Sequence, residues 1–198
     1  MADMIRLQHY QYTDHKNSIK QIYKKSFPLS ERFDFDILKK CDKESNVHLS
    51  CIIQDDIPVG MQFTVDIPND ITYLMYYAID EEYRNQGIGS KALQNLVVSK
   101  DKVMLIIEKP IDKLTIKRKE FYLKNGFYST DIIFEDTGVQ YEVLVSCKNY
   151  KPTVQDLLNR YSFMTNNKST WRKIKNTFNT EHINIIADAT NNEMFGEL

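Results

Sequence analysis

Two short runs constrain the fold most: Ile71–Ile79 and Val103–Ile107 are apolar or aromatic on both faces, and one amphipathic stretch separates them. A strand with a wet side alternates; these do not. In the first run, alternation puts Ile71, Tyr73, Met75, Tyr77 and Ile79 on one face and Leu74, Tyr76 and Ala78 on the other. Strands of this kind lie in the middle of a sheet covered by helices on both sides. Between them, Ile88, Ala92, Leu93, Leu96 and Val97 share a helical face, with Lys91, Gln94 and Asn95 opposite. Strand, crossover helix and strand close into a right-handed unit whose two strands are parallel. The fold class is therefore α/β with a mixed sheet.

The flanking segments extend that plan. Met4–Tyr10 reads as a first strand. Asp14–Ser26 and Phe33–Cys41 read as helices, the first with Asp14 as its cap. Val47–Gln54, Ile57–Asp66 and Ile71–Ile79 form a meander, turning at Asp55-Asp56 and at Pro68-Asn69-Asp70. Val47, Leu49, Cys51 and Ile53 alternate with polar neighbours, so one face of that strand is expected to be wet. Asp112–Lys124 is a helix that stops at Asn125-Gly126. Phe127–Phe134 and Val139–Ser146 close the domain as a hairpin.

Residues 1–148 are thus expected to form one domain, and 149–198 an extension of different composition. The extension is rich in Asn and Lys, yet Val154, Leu157, Leu158 and Tyr161 follow helical spacing behind a Thr153…Asp156 capping box. Trp171, Ile174 and Phe178 repeat the device, and His182–Ala189 fits helix or strand. Two apolar stripes point to a mainly helical extension that packs on the domain or forms a homodimer.

The stretch Ala78-Ile79-Asp80-Glu81-Glu82-Tyr83-Arg84-Asn85-Gln86-Gly87-Ile88-Gly89-Ser90 joins a central strand to a helix start. There, several backbone N–H groups lack intrahelical partners and the helix dipole favours an anion. Gly87 and Gly89 remove Cβ atoms that would hold a diphosphate away, and Arg84 adds a charged donor. A Rossmann dinucleotide site would want a third glycine where Ala92 stands. With 26 Lys and Arg against 27 Asp and Glu, the net charge of -1 gives no field for nucleic acid or anionic lipid.

Arg84-Asn85-Gln86-Gly87-Ile88-Gly89 resembles the Arg/Gln-x-x-Gly-x-Gly/Ala signature of the GNAT superfamily of N-acetyltransferases. Phe121-Tyr122-Leu123-Lys124-Asn125-Gly126-Phe127 resembles its second landmark, Phe-Tyr-x-x-x-Gly-Phe. The resemblance spans roughly residues 4–146. It implies acetyl-CoA as co-substrate, its pyrophosphate on the amides around Arg84–Ser90. It also implies pantetheine along the strand edge ending at Ala78-Ile79, in a V opened where the two central parallel strands splay.

Acetyl transfer to an alkyl amine requires the neutral amine, which costs about 4.6 kcal/mol at pH 7. Glu108, closing the second apolar run, is the candidate base, because open α/β sheets place ligands at strand ends. The tetrahedral oxyanion wants a backbone N–H near Ala78 or Ile79. By the resemblance, Tyr122 stands near the thioester sulfur and is the candidate acid. Phe121 and Tyr122 point about 100° apart on their helix, which predicts that Phe121 faces the core and Tyr122 the cleft. In related enzymes the region of Glu31 and Arg32 borders the acceptor site, so these two are candidates to orient substrate. The resemblance also places Thr115 where Asn is common.

The expected function is transfer of acetyl from acetyl-CoA to a primary amine of a small molecule or peptide, by direct attack in a ternary complex. The alternative is a non-catalytic acyl-CoA-binding module whose extension docks a partner. Cys41, Cys51 and Cys147 form no CxxC pair, and no Cys/His zinc spacing exists, so no metal is expected. No apolar leader or membrane-length run is seen, and the expected compartment is the cytoplasm.

Overall fold

A computed structural model of the chain describes residues 4–136 and 138–161 and the backbone of 184–187. The elements are β1 (Ile5–His9), α1 (Lys16–Ser26), α2 (Phe35–Cys41), β2 (Val47–Gln54), β3 (Ile57–Ile67), β4 (Ile71–Ile79), α3 (Ile88–Ser99), β5 (Lys102–Glu108), α4 (Lys113–Lys124), β6 (Tyr128–Asp136), β7 (Val139–Val145), α5 (Val154–Asn159) and β8 (Asn184–Ala187). One turn of 3-10 helix follows β1, and another, Glu81–Tyr83, follows β4. The strands form one sheet in the order β1-β2-β3-β4-β5-β7-β6-β8. Only β4 and β5 pair in parallel among the described strands. They stand at the centre, as their two-sided apolar character requires.

Each face of the sheet carries its own core. On one, Ile19, Ile22 and Tyr23 of α1 and Phe35 and Leu38 of α2 pack on Leu49, Met61, Phe63, Tyr73 and Tyr76. On the other, Leu93 and Leu96 of α3 pack on Leu74, Val103, Leu105 and Ile107, and Ile88 and Ala92 pack on Ile52 and Val59. The expected wet face of β2 is absent, since Ile52 reaches the second core while Leu49, Cys51 and Ile53 fill the first. Both β-turns of the meander use left-handed backbone, with φ 49° and 64° at Asp55 and Asp56 and 69° and 58° at Asn69 and Asp70. Such turns match the twist of tight hairpins.

The helix ends follow local chemistry, with one correction. Asp14 does not cap α1; His15 holds the N-cap position without a side-chain bond, and the Thr13 hydroxyl accepts from the His15 N–H. Asp112 and Thr115 form a capping box at α4, which places the Thr115 hydroxyl in the helix start. Gly126 at φ 88° ends that helix as expected. The Thr153 and Asp156 box is present at α5, whose Leu157 is fully buried. Of the segment His182–Ala189, the described part is strand: β8 pairs with β6. The stripe Trp171, Ile174 and Phe178 lies outside the described residues.

The alternation read for β4 is broken by a bulge. Across β3, Phe63 faces Tyr76 while Thr64 faces Leu74, so Met75 is the extra residue. A strand side chain switches face every residue, and one insertion reverses the parity beyond it. Tyr73, Tyr76 and Ala78 accordingly share the α1–α2 side, while Tyr77 and Ile79 turn to α3. The bulge also bends β4. Its parallel ladder with β5 runs from Ile71↔Lys102 to Leu74↔Leu105 and stops, although β4 continues to Ile79 and β5 to Glu108.

The closed end of this V is pinned by Asp66. Thr72 Oγ1 donates to it at 2.7 Å and Lys100 Nζ at 3.0 Å, and His48 Nε2 lies at 3.1 Å. Burial pushes the Asp66 carboxyl up, but these partners outweigh it and hold the group well below the usual carboxylate range.

Candidate active site

Where β4 and β5 part, they open a cleft of about 950 Å³. One wall is Met75–Ile79 of β4, the other Leu105–Glu108 of β5. Arg84, Asn85, Gly87, Gly89 and Ser90 border one end, and Glu31, Asp136, Tyr141, Arg160 and Tyr161 border the other. Among the described residues no helix is long and apolar enough to cross a membrane.

The first end is built from backbone. Asp80 caps the 3-10 turn, accepting from Glu82 N–H, and Arg84 Nε donates to the Ile79 carbonyl at 3.0 Å. Asn85 at φ 63° and Gly87 at φ 77° then turn the chain sharply into α3. Gly87 is the N-cap and supplies no side-chain bond. After the Arg84 N–H, the next amide to find a partner is that of Lys91, on the Gly87 carbonyl at 3.1 Å. The N–H groups from Asn85 to Ser90 are thus free among the described residues, and an anion such as a pyrophosphate would satisfy them. Coenzyme A fits this cradle.

The two glycines serve different ends. A Cβ on Gly87 would meet no protein atom within 4 Å, and its positive φ favours glycine. A Cβ on Gly89 would lie 3.2 Å from Ile79 Cγ1 and 3.5 Å from Phe121 Cζ. Glycine at this position gives room beside strand and helix. Ile88 points its side chain into the core, and Gln86 donates outward to the Glu82 carbonyl. Their contribution to the cradle is therefore confined to their amides.

Ala78 and Ile79 line the strand edge, paired on their other side with Met61 and Gly60 of β3. Gly60 escaped the sequence reading. A Cβ there would stand 2.6 Å from the Ala78 carbonyl oxygen and 2.8 Å from Ile79 Cδ1. Tyr77 was also missed; its hydroxyl donates to the Gly89 carbonyl at 2.6 Å and ties β4 to the start of α3.

Tyr122 and Phe121 both line the cleft and both pack against the same core, with ring centroids 5.3 Å apart. The expected division, one inward and one outward, does not hold, since both rings border cleft and core. Tyr122 also packs edge-on against Phe127 at 5.7 Å. Burial pushes its phenol up to about 12, with Arg118 one turn earlier opposing. The hydroxyl therefore keeps its proton throughout the physiological range.

At the other end, Glu108 is half-buried and sits opposite Tyr141 in the β5–β7 ladder. Glu31 stands at the rim. Partial desolvation pushes its carboxyl up, the negative Glu108 adds to this, and Arg118 opposes both. The loop carrying Glu31 is tied to β4: Tyr76 OH donates to the Glu31 carbonyl at 3.2 Å, and the Phe33 N–H donates to Tyr76 OH at 3.3 Å. Arg32 is not brought in. Its guanidinium donates to the carbonyls of Lys24 and Phe27, closing the end of α1, and it does not border the cleft.

Arg118, Asp136, Tyr141, Arg160 and Tyr161 line the cleft but are not among the site residues expected from the sequence. Arg118, four residues before Tyr122, could have been found by helical spacing. The others depend on β7 inserting between β5 and β6, which no local signal announces.

The model of the GNAT acetyltransferase family matches residues 16–127, more than half of the 198. The chain belongs to that family. Its solved structural relatives share the GNAT fold at low identity. A GNAT acetyltransferase from Bacteroides thetaiotaomicron is 17% identical with a TM-score of 0.59, covering 87% of this chain and 96% of its own. A Bacillus subtilis acetyltransferase solved with CoA is 13% identical with a TM-score of 0.51, covering 72% and 97%. The ribosomal-protein-S18-alanine N-acetyltransferase of Escherichia coli is 15% identical with a TM-score of 0.53, covering 75% and 100%. Among curated proteins, none matches the sequence. Acetyl-CoA-dependent acetyltransferase chemistry is the general activity of this GNAT family.

Proposed function

We propose that the protein transfers the acetyl group of acetyl-CoA to a primary amine by direct attack in a ternary complex. One observation carries the reading: a single cleft has bare helix-start amides at one end, carboxylates at the other, and a protonated phenol between parted strands. Acetyl-CoA supplies the activated acyl group. The amides of Asn85–Ser90 bind its pyrophosphate, and the Ile79 N–H, on the open edge of β4, is offered to the thioester oxygen as it gains charge. Glu108 takes the proton of the incoming ammonium, Glu31 draws that cation in, and Tyr122 returns a proton to the departing sulfur. Free Cys41, Cys51 and Cys147 accord with a cytoplasmic setting.

The cradle is tested by Gly87→Val. Space for the side chain is open, so the protein should fold, but a branched residue at φ 77° is strained by about 1–3 kcal/mol. Relief of that strain rotates the amides away, and calorimetry should show acetyl-CoA affinity falling about tenfold or more. No heat with coenzyme A for the wild type, together with no effect of the variant, would sink the assignment. Turnover is tested by thiol release with a panel of amines; tight binding without release on any of them would favour a non-catalytic acyl-CoA module.

Glu108→Gln tests the base. Expected is a fall in kcat of about 10²-fold with acetyl-CoA affinity unchanged. Glu31 also loses its negative neighbour, so its carboxyl moves down toward the ordinary value, and the acid limb of the residual pH–rate profile should shift to lower pH. An unchanged rate and profile would reject Glu108.

A further inference from the structure

Residues beyond the stretch matched by the family model build part of the cleft. The segment after β7 is anchored by Asp156, whose Oδ2 accepts from Tyr150 OH and the Thr153 N–H, each at 2.8 Å. Asn69, in the β3–β4 turn, donates to its Oδ1 at 3.4 Å. The next turn delivers Arg160, only 2% exposed, to the cleft wall.

Arg160 stands among aromatic rings. Its guanidinium lies 4.3 Å from the Tyr161 ring centroid and 5.4 Å from that of Phe134, and Phe134 in turn stacks on Tyr141 at 5.5 Å. It donates one N–H to the Leu157 carbonyl. The Asp136 carboxylate comes no closer than 3.9 Å, beyond hydrogen-bond reach. Asp136 is 9% exposed, and its Oδ1 has no hydrogen-bond partner among the described residues. The two form a buried ion pair with no hydrogen bond between them, and such a pair is costly unless further hydrogen bonds satisfy its remaining donors and acceptors.

We propose that Arg160 and Asp136 form a subsite for the far end of the acceptor, one that takes a neutral group with both a donor and an acceptor, a carboxamide being the simplest. The proposal rests on the acetyl-transfer reading above. The amide oxygen accepts from Arg160, and its N–H donates to Asp136. A carboxylate at the same place would gain Arg160 but face Asp136, with Glu108 also nearby. A second ammonium would gain Asp136 but face the buried Arg160. Each charged tail therefore meets a like charge that the amide avoids.

The test compares acetyl transfer to three matched series: amino carboxamides from glycinamide to 4-aminobutanamide, the amino acids of the same length, and the corresponding diamines. The best carboxamide should exceed its acid and its diamine counterparts by about 10-fold or more in kcat/KM. Arg160→Gln and Asp136→Asn should each abolish that preference while acetyl-CoA affinity stays unchanged. Equal or better turnover of the acids or diamines by the wild type overturns the proposal and leaves acetyl transfer standing. If acetyl-CoA binds and no amine of any series is turned over, the underlying reading fails and this one with it. Should either variant fail to fold, the wild-type comparison alone decides.

Discussion

Tyr122→Phe should lower kcat by about 10²-fold and leave acetyl-CoA affinity nearly unchanged. The variant keeps the ring, and with it the contacts to Phe121 and Phe127 that hold α4 over the second core. Only the hydroxyl is lost. Burial pushes that hydroxyl up to about 12, so the protonated form dominates at every working pH and its titration would limit the rate only near the alkaline extreme. The variant should therefore show a uniformly lower rate and a pH profile of the same shape. Steady-state kinetics with calorimetry on coenzyme A separates these quantities. A kcat equal to that of the wild type would remove Tyr122 from the chemistry and leave it as packing.

Gly60→Ala is expected to have the largest effect on the scaffold. The added methyl would sit 2.6 Å from the Ala78 carbonyl oxygen, a backbone atom with nowhere cheap to go, and 3.1 Å from Ile52 Cδ1 on the other neighbouring strand. β3 and β4 must separate there, and overpacking of this kind costs about 2–3 kcal/mol. In a chain of this size that lowers Tm by roughly 5–10 °C. Because the displaced carbonyl belongs to the edge that lines the cleft, acetyl-CoA affinity should fall with it. A thermal melt and a titration decide the matter, and an unchanged Tm would mean that the strands tolerate a wider spacing than their register suggests.

Legibility in the sequence followed the range of the forces involved. Turns and helix stops were readable because Asp55-Asp56, Asn69-Asp70 and Asn125-Gly126 act through their own backbones. The central position of β4 and β5 was readable because burial on two sides leaves no alternation. Alternation along β4 was misread, since the extra residue Met75 shows only against its partner strand. In the candidate site, the cradle from Arg84 to Ser90 is local and was legible, as was Tyr122 through its landmark. Arg32 was misplaced because a charge near a loop gives no hint that two carbonyls at the end of α1, those of Lys24 and Phe27, will take it. Asp136, Tyr141 and Arg160 meet only through the order of the last strands and the seating of α5, which are non-local facts.

The extra residue in β4 does two things at once. It turns the strand from β5, and by reversing parity it carries Tyr76 to the layer where its hydroxyl grips the Glu31 loop. How wide the sheet gapes and where an acidic rim stands are thereby mechanically linked. Straightening this strand to shut the gap would in the same stroke release the Tyr76 hold on the loop that carries Glu31.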